Sequence, residues 1–264
     1  MTKNECTFPE AKSIIVSGDI HGDFNLLVNK VCVQYQMRDT LVVVAGDCGF
    51  GFENKGYYDN IVKRNAKRMN ECNNWIVFIR GNHDNPAYFD GRAFMHKRFM
   101  AVPDYSILKA CDHTILCVGG AISIDRKYRQ DSWAHNVEKQ RGHVETGAFS
   151  KNYYWNDEAP VYSRAALEII NENVAIDLVI THTAPSFCEL QSKNGLCCYA
   201  YDDTALIDDL TRDRATIDEI YDTLKYQNHP ITHWCYGHFH QSWSATINGI
   251  LFSMLDIMEF KEIR

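Results

Sequence analysis

Five short polar clusters hold the side chains able to do chemistry in this chain. They are Gly18-Asp19-Ile20-His21, Gly46-Asp47, Gly81-Asn82-His83-Asp84, Thr181-His182 and Gly237-His238-Phe239-His240. Carboxylate, imidazole and amide oxygen together form the donor set that borderline divalent cations take. Asp19 and His21 are two residues apart after an apolar run, so both can turn toward one ion. Asp47 can bridge two ions with its two oxygens, and Asn82 offers a neutral amide oxygen. His182, His238 and His240 offer imidazole nitrogens, and the spacing of two places His238 and His240 on one side of an extended segment. A pair of cations so held can activate water and neutralise an anionic substrate.

The elements that must position these clusters are legible around them. Lys12 to Ser17, Thr40 to Ala45 and Trp75 to Arg80 are continuous apolar runs, each ending at a cluster, and they read as strands covered on both faces. Helical spacing over Asn25 to Tyr35 and Tyr57 to Cys72 separates them, a β-α-β-α-β rhythm that predicts parallel strands with crossover helices. Ligands of such sheets bind beyond the carboxyl ends of the strands, where the clusters lie. Further strands are expected at His113 to Val118, Asp177 to Ile180 and Thr232 to Tyr236. Trp243 to Ile247 and Ile250 to Met254 flank Asn248-Gly249, a hairpin signal. Helices are expected over Ser163 to Asn173, with Ser163 as N-cap, and separately over Thr204 to Leu210 and Ala215 to Tyr226. Residues 126–160 are polar and aromatic, and read as an ordered excursion near the site within a single domain spanning 1–264.

The clusters in this order resemble the calcineurin-like metallophosphoesterase superfamily: Asp-x-His, Gly-Asp, Gly-Asn-His-Asp, Thr-His and Gly-His-x-His, from Gly18 to His240. The resemblance implies an α/β fold, a four-layer α/β/β/α sandwich of two mixed β-sheets flanked by helices. It implies one metal on Asp19, His21, Asp47 and His240 and another on Asp47, Asn82, His182 and His238. His83 would donate a proton to the leaving group, with Asp84 beside it in the catalytic set. The expected reaction is hydrolysis of a phosphate mono- or diester, by in-line attack of a hydroxide held between two divalent ions. Manganese is the first choice of metal, with iron, zinc, nickel or cobalt as alternatives.

The segment Gly119 to Arg126, with Arg129, further resembles a bacterial branch of the superfamily. Arg126 and Arg129 are candidate phosphate clamps, since a guanidinium fork matches phosphate oxygens. The serine/threonine protein phosphatase branch carries Asp-Arg-Gly shortly after Gly-Asp, whereas here Phe50 stands at the position of its second aspartate. The expected substrate is therefore a small phosphate ester. The alternatives are a non-catalytic metal-binding scaffold of the same fold and a nuclease.

Bulk properties narrow these readings. A net charge of -7 disfavours a nucleic-acid partner. No apolar stretch reaches the ~18 residues that span a bilayer, and the polar N-terminus carries no apolar leader. The ten cysteines, without a CxxC pair, read as reduced and in several cases buried, and a cytoplasmic location is expected.

Overall fold

Val42 and Val44 point to one side of their strand, and Leu41, Val43 and Ala45 to the other, yet all five are fully buried. The first pair joins a core of Phe24, Leu27, Ile61 and Phe78. The second set joins Leu108, Ile115, Cys117, Leu178 and Cys235. A strand buried on both faces needs a layer on each side, and this alternation runs through the molecule.

The computed structural model describes residues 4–132, 154–188 and 196–264. In it β1 (Glu5–Thr7), β6 (Ser106–Ala110), β7 (His113–Val118), β8 (Leu178–Thr181), β9 (His233–Tyr236), β11 (Ile250–Met254) and β10 (Trp243–Ile247) lie in that order in a seven-stranded sheet. A five-stranded sheet has the order β12 (Phe260–Ile263), β2 (Ser13–Ser17), β3 (Thr40–Val44), β4 (Trp75–Phe78) and β5 (Phe99–Ala101). Strands β2 to β5 are parallel, as are β7, β8, β9 and β11, while β12, β6 and β10 pair with antiparallel neighbours.

Helices α1 (Phe24–Asn29), which runs on through a wider π-helical turn at Lys30–Gln34, and α2 (Lys55–Cys72) cover the outer face of the smaller sheet. Helices α3 (Arg164–Asn173) and α5 (Leu206–Tyr226) cover the outer face of the larger one through Leu167, Ile170, Ile217, Ile220 and Leu224. The third core, between the sheets, completes the four-layer α/β/β/α sandwich. The short α4 (Leu196–Asp202) precedes α5.

Ser163 caps α3 as expected, its Oγ accepting from the Ala166 N–H at 3.3 Å. The two helices expected over 204–226 are instead the single α5. The intervening Thr211-Arg212-Asp213-Arg214 contains neither Gly nor Pro, so polarity there marks a change of face rather than a break. Most of the 126–160 excursion lies outside the described residues: 126–132 are helical, and 154–160 return to the core irregularly. All ten cysteines are free, and no helix among the described residues is long and apolar enough to cross a membrane.

Candidate metal centre

Each polar cluster follows the carboxyl end of a parallel strand: β2, β3 and β4 in one sheet, β8 and β9 in the other. The sheets meet at these ends. His182 Nδ1 lies 2.7 Å from the Ala45 carbonyl across the seam, and the His238 N–H donates to Asp19 Oδ1 at 3.0 Å. Close approach makes glycine necessary here. A Cβ on Gly81 would overlap the Asp47 backbone and carboxylate, and one on Gly237 would overlap Asp19 Oδ1. The ligand-type residues themselves carry backbone strain. His21 (φ 45°), Asp47 (φ 46°), His238 (φ 69°) and His240 (φ 50°) all sit in the left-handed region, a conformation concentrated at functional sites.

Two adjoining groups of donors result. The donor atoms of Asp19, His21, Asp47 and His240 all lie within 4.8 Å of one another. His240 Nε2 is 3.0 Å from Asp19 Oδ2 and 3.0 Å from His21 Nε2. In the second group, His182 Nε2 lies 2.8 Å from Asn82 Oδ1 and 3.2 Å from Asp47 Oδ1, with the His238 ring 5.0 Å from the His182 ring. His238 and His240 thus divide between the groups, and Asp47 touches both.

Two buried carboxylates dominate the electrostatics of these groups. Asp19 and Asp47 are 0% and 1% exposed, and among the described residues neither is paired with a lysine or arginine. Histidines alone offset them. Burial pushes Asp47 up, but His83, His182 and His21 hold it well below the usual carboxylate range. His182 is lowered by burial yet raised to about 9 by Asp47. The hydrogen bond that His240 donates to Asp19 raises its pKa, while burial lowers His21 and holds His238 well below the ordinary imidazole value. Clustered carboxylates and imidazoles, with no lysine or arginine paired to the carboxylates among the described residues, are the donor chemistry a divalent ion completes, so the residues fit such an ion.

His83 borders Asp47. Its Nε2 lies 3.8 Å from Asp47 Oδ2, 3.2 Å from Asn82 Nδ2 and 3.4 Å from Arg129 Nη2. Its Nδ1 is buried without a hydrogen-bond partner among the described residues. Asp84, expected in the catalytic set, sits beneath the loops instead. Its carboxylate accepts from the N–H groups of Cys48 (3.0 Å), Gly49 (2.7 Å), Phe50 (2.9 Å) and Gly81 (2.8 Å), tying the Asp47 loop to the Asn82 loop. Burial, then Asp47, pushes its carboxyl up to about 6. Phe50 is fully buried at the centre of Phe24, Tyr58, Phe78, Tyr88, Phe89 and Phe94, so the position that an aspartate holds in the protein phosphatases is here packing.

The two arginines part ways. Arg129 lines the cleft, paired with Asp125 at 2.8 Å. Arg126 does not line it: its guanidinium is taken by Asp203 (2.6 Å) and Asp209 (2.7 Å), which removes it as a free phosphate clamp. The cleft is about 640 Å³, with Asp47, Asn82, His83, His238 and His240 at one end. Ile124, Leu196, Tyr199, Ile207, Leu210 and Phe239 give the cleft its apolar lining, with the Phe239 ring 4.8 Å from that of His238.

Three polar residues of the site were not singled out in sequence. Asp213 lines the cleft from α5, 3% exposed, pushed up to about 7 by burial against the opposing pull of Thr183. Ser123 and Glu158 form a buried pair behind Asn82. Burial pushes the Glu158 carboxyl up to about 8, with the two hydrogen bonds from Ser123 pulling it back. Ser123 does stand just past a strand end, the one hint available, whereas Glu158 comes from the irregular segment after 153.

The family model of calcineurin-like phosphoesterases matches residues 12–242, which takes in all five clusters. The chain belongs to the calcineurin-like phosphoesterase family. It is thereby a phosphoric ester hydrolase by family, and the donor cluster is this phosphoesterase's candidate metal site. No curated protein matches it by sequence search. Among solved structures, TT1561 of Thermus thermophilus is 11% identical with a TM-score of 0.53, covering 96% of this chain and 99% of that one, a likeness of fold. A dimetal phosphatase from Danio rerio is 13% identical (TM-score 0.45; 95% and 88% covered). The phosphopantetheinyl hydrolase PptH from Mycobacterium tuberculosis is 12% identical (TM-score 0.40; 97% and 91% covered).

Proposed function

We propose that this phosphoesterase is a dinuclear metal enzyme acting on small organic phosphate esters. The observation that carries the reading is the pair of donor groups sharing Asp47, with two buried carboxylates and no fixed cation among the described residues. Asp19, His21, Asp47 and His240 would hold one divalent ion, and Asp47, Asn82, His182 and His238 the other. Bound there, such ions supply a water acidic enough to serve as nucleophile near neutral pH and neutralise the phosphate oxygens. The chain's own residues do the rest. Arg129, beside His83 and on the cleft wall, is placed to meet a phosphate oxygen. His83, at the rim of the donor cluster, is placed to give a proton to the departing alkoxide. The wall of Ile124, Leu196, Tyr199, Ile207, Leu210 and Phe239 would receive an apolar leaving group.

Two alkyl esters with leaving groups of similar basicity test the reading. With manganese added, 2-phenylethyl phosphate is expected to have a kcat/KM roughly 10- to 100-fold above ethyl phosphate, the value of burying about 1.5–3 kcal/mol of apolar side group. Equal rates would remove the apolar subsite. No turnover of any mono- or diester with manganese, iron, cobalt, nickel or zinc would sink the enzyme reading itself.

Proton donation has its own signature. His83→Ala should lower kcat for an alkyl phosphate by about 10²–10⁴-fold, the usual worth of a positioned acid. The nitrophenyl ester, whose leaving group departs without a proton, should lose far less. An equal loss on both esters would place His83 in binding rather than proton transfer.

A further inference from the structure

Of the oxygen donors in the candidate centre, Asn82 alone depends on which way its end group is turned. A carboxylate presents oxygen either way round, whereas an amide presents oxygen on one side and NH₂ on the other. An NH₂ turned toward a cation is no ligand, so something must hold the Asn82 amide.

Behind Asn82, its Nδ2 donates to Ser123 Oγ at 2.8 Å. Ser123 in turn is clasped by Glu158: its Oγ–H donates to Oε2 at 2.6 Å and its N–H to Oε1 at 2.9 Å. Glu158 is 1% exposed, and its backbone is pinned. The Arg80 guanidinium donates to the carbonyls of Asp157 (3.0 Å), Glu158 (2.8 Å) and Ala159 (3.1 Å), and the Ala121 N–H donates to the Glu158 carbonyl at 3.0 Å. We propose that Glu158, acting through Ser123, is the positioning residue that keeps the amide oxygen of Asn82 turned to the cation site. The proposal rests on the dinuclear reading, in which Asn82 is a ligand.

The protons decide the orientation. A serine hydroxyl has one hydrogen to give. Spent on the Glu158 carboxylate, it leaves Oγ only acceptor lone pairs toward Asn82, and only NH₂ can meet them. Oδ1 must then face the other way, where it lies 2.8 Å from His182 Nε2. The second Nδ2 hydrogen has His83 Nε2 at 3.2 Å, so the same orientation also touches the candidate proton donor. Cations bound at Asp47 and Asn82 would favour the ionised form of Glu158 that the relay uses.

Glu158→Gln keeps the shape and reverses the relay. The glutamine oxygen would take the Ser123 N–H and its NH₂ would donate to Oγ, freeing the serine hydrogen for the Asn82 oxygen and turning NH₂ toward the cation site. In Asn82→Asp, orientation ceases to matter, because both end atoms are oxygens. Calorimetric titration of the metal-free protein with manganese should therefore show two sites in the wild type. In Glu158→Gln, one site should weaken by about 10- to 100-fold, the usual cost of losing a partner that orients a ligand. In the Asn82→Asp background, adding Glu158→Gln should weaken neither site, because orientation no longer matters there and the serine hydrogen it frees can go to the carboxylate. If the pair only staples two loops together, the loss would recur in that background, and the proposal would fall. It would fall equally if Glu158→Gln bound manganese like the wild type. A wild type with fewer than two sites would overturn the dinuclear reading instead. Should Glu158→Gln fail to fold, Ser123→Ala taken through the same cycle is expected to weaken the same site and to lose its effect in the Asn82→Asp background.

Discussion

Asp47→Ala is expected to abolish manganese binding at both sites and lower kcat/KM by about 10³-fold or more. Asp47 is the donor common to both groups, 1% exposed and in reach of His83 and His182. Metal ions contribute several kcal/mol of charge stabilisation in such reactions, and each 1.36 kcal/mol is tenfold in rate. The fold should survive the change. His182 is held near 9 against its own burial chiefly by Asp47, so without that carboxylate burial is opposed by the weaker pulls of Asp19 and the Ala45 carbonyl, and the ring's hold on its proton falls. Metal content by elemental analysis and the rate on an aryl phosphate check both halves. Retention of two ions per chain would show that Asp47 is not shared.

Asp84→Ala is expected to fail differently, by unfolding. Its carboxylate satisfies four backbone N–H groups that tie two donor loops together. A buried donor left unsatisfied costs about 1–3 kcal/mol, so losing all four costs roughly 4 kcal/mol or more. Against a typical total stability of about 5–15 kcal/mol, that consumes much of what holds the domain. At about 2–4 °C per kcal/mol for a chain of this size class, the midpoint of thermal unfolding should fall by roughly 10 °C or more. Asp84→Asn should fare little better, since its NH₂ would confront N–H donors. A melt within about 2 °C of wild type would show that water replaces the carboxylate.

These contrasts mark where sequence is informative. The donor clusters were legible because both-sided burial writes β2, β3 and β4 as unbroken apolar runs, and the polar residues stand where those runs stop. The three- and four-residue strands β1, β5 and β12 were not legible because they are short and stand at sheet edges, and the internal β6 was not because Ser106 and Lys109 leave it only a two-residue apolar run. Asp84 reads in sequence as one more polar residue of its cluster. Its role as a tie depends on loops that approach only after the two strands pair. Arg126 looked available because its partners, Asp203 and Asp209, lie some 80 residues on, in and before α5. Ser123 and Glu158 are 35 residues apart and meet only when the chain returns past residue 153.

The seam between the sheets has a mechanical consequence. Asp19, His21, Asp47 and Asn82 follow strands of the smaller sheet, and His182, His238 and His240 follow strands of the larger. Each proposed coordination sphere therefore draws on both. An ion in either one would act as a rivet through two plates, resisting their sliding as well as their separation. Prising the plates apart would sever both rivets together, because Asp47 is common to them. The two halves of the sandwich would then come apart as one unit when loaded. Stripped of metal, they would be held along this edge by direct contacts, among them those of His182 with Ala45 and Asn82 and of His238 and His240 with Asp19, and by the apolar layer behind them.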